Sequence, residues 1–250
     1  ANVFLGQVEA PLLIKPYLSS MTRHELLIIM TVGMSTIAGS VMVVYTTMLF
    51  PIYGSGLIGH FLSASLISVP AAIMYANMMI PSIEKTDFPD EKSDDMYSSI
   101  MDAITQGTKN GLDIFLNVIA MLIVVMALVF LVNSILGLLP NLNGNPITLE
   151  LMLGYLFAPL AWFMGIPWSE SIVAGQLLGV KTALNEFVAY LYLSDTETYQ
   201  LADKSRMIML YALCGFANFS SVGILLSGLS AMVPERRADL ISVSGKALWC

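Results

Sequence analysis

Residues 34–40, Met34-Ser35-Thr36-Ile37-Ala38-Gly39-Ser40, set small and polar side chains in the middle of an apolar run. Around them, no Lys, Arg, Asp or Glu occurs from Leu26 to Ile83, and only His60 and the turn-like Pro51-Ile52-Tyr53-Gly54-Ser55-Gly56 interrupt the run. About 20 apolar residues cross a bilayer as helix, so the stretch reads as two spans, Leu26 to Phe50 and Leu57 to Ile80. Composition agrees: of 250 residues, 56% are hydrophobic and only 12% charged, about half the charged share of ordinary soluble domains. A net charge of −7 argues against a nucleic-acid partner, because phosphate binding needs clustered Lys and Arg. Cys214 and Cys250 build no disulfide framework or metal site and read as small apolar residues.

Downstream, Glu84 to Asp95 holds six acids against two lysines, with Pro89 among them, and reads as a solvated loop. Met96 to Asp113 mixes apolar Met96, Ile100, Met101 and Ile104 with Asp102, Gln106 and Lys109, which predicts an amphipathic helix at the interface. A third span follows from Ile114 to Leu139, closed by Pro140 and the Gly144-Asn145-Pro146 turn, and a fourth runs from Met207 to Val233. Between them, Leu151 to Leu193 is cut by Pro159, Gly165-Ile166-Pro167, Gly175, Lys181 and Glu186 into short pieces, which suit helices that enter and turn back. Asn2 to Tyr17, with Gly6-Gln7-Val8-Glu9-Ala10-Pro11 inside apolar sequence, has the same character. No charged segment precedes an apolar core, so no signal peptide is expected. Ile241 to Cys250 looks like the opening of a further apolar helix, so the chain reads as a piece of a longer membrane protein.

Two units share one order of parts: a polar turn with an acid, a short apolar piece, a basic residue, then a span with a small, polar centre. The first carries Glu9, Arg23 and residues 34–40; the second carries Glu186, Arg206 and Gly215-Phe216-Ala217-Asn218-Phe219-Ser220-Ser221. Arg23 to Ser35 and Arg206 to Asn218 are both twelve residues, which suggests duplication. By parity of the spans the two units run in opposite directions. Inverted repeats with broken helix centres are the sequence pointer to a secondary transporter with its site at the midplane. The ends carrying Lys15, Arg23, Lys85, Lys92, Lys109, Arg236 and Arg237 fall on one face, opposite Lys204 and Arg206, and positive-inside counting makes that face cytoplasmic.

Glu9 and Glu186 are the leading functional candidates, because a carboxylate within a membrane costs roughly 2.5–3.5 kcal/mol on insertion scales. The alternative is that both turns reach the interface and are solvated. Gln7, Asn218 and Ser221 add amide and hydroxyl groups suited to base edges and sugar hydroxyls, whereas Asn218 as an interhelical hydrogen bond is the plainer reading. Asn2, Thr36 and nearby carbonyls form a candidate cation site, since a hard ion needs several oxygens and broken helices expose them. Lys181 either neutralises a carboxylate or snorkels. The chain has no HExxH, Walker or Rossmann pattern, so an enzyme is not expected.

At these same residues the sequence resembles the concentrative nucleoside transporter family. Gly6-Gln7-Val8-Glu9-Ala10-Pro11-Leu12-Leu13-Ile14, Ser35-Thr36-Ile37-Ala38-Gly39-Ser40-Val41, Asn185-Glu186-Phe187-Val188-Ala189-Tyr190 and Gly215 to Ser221 match in the family's order. The resemblance covers the carboxy-terminal transport portion, beginning inside the first re-entrant hairpin. It implies an all-α polytopic membrane protein with inverted repeats, re-entrant hairpins and broken spans, working as an elevator-type nucleoside symporter and assembling as a homotrimer in the plasma membrane, whether bacterial inner membrane or eukaryotic cell membrane. Sodium is the usual coupling ion and protons the alternative; no other cofactor is implied. The resemblance assigns the base to Gln7, Val8 and Glu9, with Val41 beside it, and the ribose to Glu186, Asn218 and Ser221, with Phe216 packing nearby. It assigns sodium to the Asn2 side chain, the Leu5 and Ile37 carbonyls and the Thr36 hydroxyl. Val8 stands where the family usually has Thr or Ser, so one hydroxyl facing the base is absent.

The expected organisation is therefore residues 1–80 as the second half of the first hairpin plus two spans, and 81–113 as acidic loop and interfacial helix. Residues 114–140 would be a scaffold span, and 147–250 the second hairpin, a broken span and the start of the last helix. A channel or membrane receptor for small polar solutes would use the same polar core without accumulating solute. An intramembrane enzyme using Glu9 and Glu186 as acid and base would instead alter its substrate.

Overall fold

The computed structural model describes residues 1–81, 98–140 and 146–250. The expected acidic loop and the Gly144-Asn145 part of the turn lie outside the described residues. Among those described there are helices and no strands. Two short helices open the chain, α1 (Glu9–Leu12) and α2 (Lys15–Leu18). Thr22 then starts α3 (Arg23–Ser35) with a capping box, accepting from the Glu25 N–H while the Glu25 carboxylate accepts from the Thr22 N–H.

The first apolar run is not one helix. Thr36 and Ala38 are extended, and α4 (Gly39–Tyr53) restarts beyond them. At 13 and 15 residues neither half reaches the roughly 20 residues that cross a bilayer. The fourth expected span breaks likewise into α10 (Asp203–Ala212) and α11 (Phe219–Met232). The twelve-residue spacing from Arg23 and Arg206 does not register the two breaks, because Ser35 closes α3 whereas Asn218 opens α11. The second break is simply longer. A better register comes from the acids: Glu9 begins α1 and Glu186 begins α9 (Glu186–Ser194), each 26 residues before the last residue of the half-helix that follows.

Between the units run α5 (Leu57–Met79) and α6 (Ile100–Leu136). The expected interfacial helix and third span prove to be one helix of 37 residues. No proline interrupts it, and a glycine inside a helix costs only about 1 kcal/mol, so Gly107 and Gly111 do not stop it. At about 1.5 Å per residue it is about 55 Å long, which exceeds a hydrocarbon core of about 30 Å. Helices α7 (Leu149–Phe163) and α8 (Trp168–Ala183) bend back on each other by 118°, and they pack closely where Gly154 faces Gly175. Asn133 of α6 ties this region down: its Oδ1 accepts from the Leu149 N–H and its Nδ2 donates to Glu150. From α8 the chain turns at Leu184-Asn185 into α9, so the re-entrant tip carries Glu186. Helix α12 (Arg237–Trp249) closes the chain.

Two buried clusters hold the units together. One gathers Tyr45, Phe61, Tyr190 and Leu210 from α4, α5, α9 and α10; the other gathers Leu26, Met30, Leu225 and Leu240 from α3, α11 and α12. The two breaks touch at Gly215. Its φ is 150°, and a Cβ there would stand 3.0 Å from the Ser35 carbonyl oxygen, so only glycine fits. A polar clasp joins the first hairpin to the last helix. Arg236 donates to the Ser19 and Met21 carbonyls (2.7 and 2.6 Å) and to Asp239, which also accepts from Arg23.

Candidate functional site

Each break leaves the N-terminus of a second half-helix inside the protein, and these ends converge. Residues near the N-termini of α4, α9 and α11, namely Ser40 and Val41, Glu186 and Phe187, and Ser220 and Ser221, line a single cavity of about 330 Å³, at the lower end of the usual range for ligand pockets. The first hairpin closes it with Gly6, Gln7, Val8 and Glu9. Helix N-termini carry partial positive charge, so an anion or an electronegative ligand group is favoured where they meet.

Glu186 anchors the polar wall. It is 5% exposed, and both its oxygens are taken: Oε1 accepts from the Tyr45 hydroxyl and Oε2 from Asn218 Nδ2, each at 2.9 Å. Asn218 in turn is the N-cap of α11, its Oδ1 accepting from the Ser221 N–H at 2.7 Å and from the Ser220 hydroxyl at 3.0 Å. Asn185 caps α9 in the same way, through the Val188 N–H. Glu186 and Asn218 are thus fixed by the capping that begins their own helices. Each Glu186 oxygen keeps a lone pair for a ligand hydroxyl or N–H.

On the opposite wall the Glu9 carboxylate folds over Gly6, where any Cβ would collide with it. Gln7 is 8% exposed, and its Oε1 is buried without a partner, so the amide has unused hydrogen-bonding capacity. Val8 lines the cavity and also packs on α11: a Cβ at Gly228 would stand 2.6 Å from Val8 Cγ1. Val41, Phe187, Phe216 and Ile224 complete the apolar surface.

All eight expected ligand contacts, Gln7, Val8, Glu9, Val41, Glu186, Phe216, Asn218 and Ser221, therefore line one space. Tyr45 was not among them. It lies four residues after Val41, one turn along the same face of α4, and that spacing is the signal that identifies it.

The cation candidates lie behind this cavity, at the C-terminal end of α3. Asn2 Nδ2 donates to the Val32 and Gly33 carbonyls (2.8 and 3.3 Å) and to the Thr36 hydroxyl (2.5 Å), while Asn2 Oδ1 is buried without a partner. Thr36 and Ile37 are fully buried. Gly39 N–H donates to the Phe4 carbonyl at 3.2 Å, which brings the Leu5 segment alongside the break. Oxygen atoms from hairpin and helix end thus gather where the helix dipole is negative, and one lacks a donor. This donor set fits a hard cation.

Lys181 forms no ion pair with a carboxylate among the described residues. Its Nζ donates to the Ala212 carbonyl at the end of α10, at 2.8 Å.

Inverted units with broken helices about a polar cavity, in so apolar an all-α chain, define a polytopic membrane protein with the architecture of a transporter. Residues 60–250 match the family model described as "Na+ dependent nucleoside transporter C-terminus", and the chain belongs to this nucleoside transporter family. It is 41% identical over 254 residues to the uncharacterized transporter YutK of Bacillus subtilis, covering 99% of this chain and 61% of that protein. It is 38% identical over 253 residues to the nucleoside permease NupC of Helicobacter pylori, covering 99% and 59%. The structure of CNTnw in an inward-facing substrate-bound state superposes with a TM-score of 0.83 at 38% identity, over 99% of this chain and 58% of that one. The chain thus spans about three fifths of the length of these relatives. They are named transporters and permeases, not enzymes.

Proposed function

We propose that the chain is the carboxy-terminal transport region of a sodium-coupled symporter that imports purine or pyrimidine nucleosides across the plasma membrane as a homotrimer. The cavity carries this reading: a carboxylate held by Tyr45 and Asn218 faces an amide and a second carboxylate across an apolar waist. Glu186, Asn218 and Ser221 would take the ribose hydroxyls, Phe216 would pack on the sugar, and Gln7 and Glu9 would meet the base edge, with Val8 and Val41 as its apolar surround. In this reading α6 would be the scaffold span and the units on either side the moving part.

Sodium would take its oxygens from Asn2 Oδ1, the Thr36 hydroxyl and the Leu5 and Ile37 carbonyls. Coupling then follows from connectivity. Asn2 is five residues from Gln7 and seven from Glu9, so a cation that fixes Asn2 against α3 fixes the base-binding turn. Inward movement of the ion supplies about 2.3 kcal/mol per charge per 100 mV.

The test is uptake of radiolabelled uridine and adenosine by the full-length protein in proteoliposomes under an imposed sodium gradient, beside Glu186→Gln. Sodium-dependent accumulation that the variant loses is expected. Accumulation driven equally by a proton gradient without sodium would favour proton coupling, uptake that only equilibrates would favour a channel, and no uptake of either nucleoside by folded protein would refute the reading.

A further inference from the structure

The two units treat the ends of their first half-helices differently. At the end of α3 the donors are neutral: the Asn2 amide serves the Val32 and Gly33 carbonyls and the Ser35 hydroxyl also serves Val32, with Asn2 Oδ1 left over. At the end of α10 every carbonyl of the last turn is satisfied. The Leu213 N–H serves Met209 and Tyr211, the Cys214 N–H also serves Tyr211, the Tyr190 hydroxyl serves Leu210 at 2.8 Å, and Lys181 Nζ serves Ala212 at 2.8 Å. Such carbonyls otherwise have no intrahelical partner, and a cation is favoured beside them.

The register set by the acids makes these places equivalent. Matching Glu9 with Glu186 matches Ser35 with Ala212, Gly33 with Leu210, and Asn2 with Gly179, two residues from Lys181. In both units a side chain a few residues ahead of the hairpin acid reaches back to the C-terminal carbonyls of the first half-helix. In the first unit it is an amide, in the second an ammonium.

We propose that the Lys181 ammonium is a tethered cation that holds, in the second unit, the place the coupling cation takes in the first. This rests on the cation reading given above. The consequence is that the second unit needs no ion from solution, so one exchangeable sodium accompanies each nucleoside. Lys181 is a positioning residue: it fixes the end of α10, hence the break that carries Phe216 and Asn218, and it does so permanently, while the first hairpin is fixed only when sodium is bound.

The experiment is equilibrium binding of tritiated uridine and adenosine to the purified full-length protein across a sodium series, with choline replacing sodium. Wild type should show sodium-dependent binding with a Hill coefficient of about one. Lys181→Met, which keeps the length and loses the charge, should bind roughly tenfold more weakly at saturating sodium. Lys181→Ala should be equally weak and regain affinity with propylammonium, which replaces the missing atoms, but not with propanol. Sodium-independent binding by wild type would overturn the cation reading itself. Sodium-dependent wild type with a Hill coefficient near two, or with Lys181→Met binding at wild-type strength, would overturn the tethered cation alone, as would failure of propylammonium to restore folded Lys181→Ala. Should the uncharged variants not fold, Lys181→Arg decides: folded protein with wild-type sodium dependence supports the proposal, and unfolded protein or altered dependence refutes it.

Discussion

Tyr45→Phe removes one hydroxyl and nothing else from the wall that holds Glu186. The ring has its own neighbours, with centroids 4.7 Å from Tyr190, 6.2 Å from Phe61 and 6.3 Å from Phe187, so phenylalanine keeps the packing. What is lost is the 2.9 Å bond to Glu186 Oε1. A hydrogen bond to a charged group contributes about 1.5–3 kcal/mol to stability, and water reaching Oε1 through the cavity puts the expected loss at the lower end. Binding suffers separately. A carboxylate held only by Asn218 must be immobilised when ligand arrives, at about 0.5–1.5 kcal/mol, which is a loss of about 2- to 12-fold in affinity. Thermal unfolding and nucleoside titration of the full-length protein read the two effects. In a Glu186→Gln background Tyr45→Phe should add little, because residues in one network are not additive. Wild-type affinity in Tyr45→Phe, or a full additive loss on Glu186→Gln, would refute the idea that Tyr45 acts through Glu186.

Four further outcomes are expected. Gly228→Ala places a methyl 2.6 Å from Val8 Cγ1 and should weaken nucleoside binding through overpacking of about 1–3 kcal/mol; Val8→Ala in the same protein should restore it, as titration would report. Gly215→Ala forces a residue with a side chain to φ 150° against the Ser35 carbonyl and should destabilise by about 1–3 kcal/mol or more, read by thermal unfolding. Asn2→Ala should raise the sodium concentration for half-maximal nucleoside binding by roughly tenfold or more, while weak binding in choline stays unchanged. Arg236, and with it Arg23, hold the Asp239 carboxyl below the ordinary aspartate range. A lowered folded value means that the clasp stabilises above the unfolded value, near 3.8, and is lost as pH falls through the folded value. Stability should therefore decline below about pH 4 less steeply in Asp239→Asn than in wild type.

Much of this was legible in the sequence, for reasons that differ by residue. Small polar residues in the middle of apolar runs marked both breaks, because only Gly, Ser, Thr and Asn readily end and restart a helix there; Asn218 does so as an N-cap. Glu9 and Glu186 stood out because a charge in apolar sequence needs a reason. Tyr45 was illegible as a single letter, since a tyrosine in a membrane helix reads as belt or core, and only its spacing from Val41 distinguishes it. Lys181 was undecided because its partner is a backbone carbonyl 31 residues on, and carbonyls have no letter. The polar residues of Met96 to Asp113 suggested a separate helix lying flat, yet polarity does not end a helix without a proline or a cap, and α6 runs on to Leu136. The spacing from the two arginines misled because the breaks differ in length; the acids, fixed at the hairpin tips, keep the true register.

The most direct measurement is the affinity of the purified full-length protein for uridine and adenosine in sodium and in choline at equal ionic strength. Affinity for at least one nucleoside that rises with sodium, and that needs higher sodium to rise in Asn2→Ala, is the result expected if the ion at the end of α3 orders the turn carrying Gln7 and Glu9. Equal affinity in both salts would contradict that coupling.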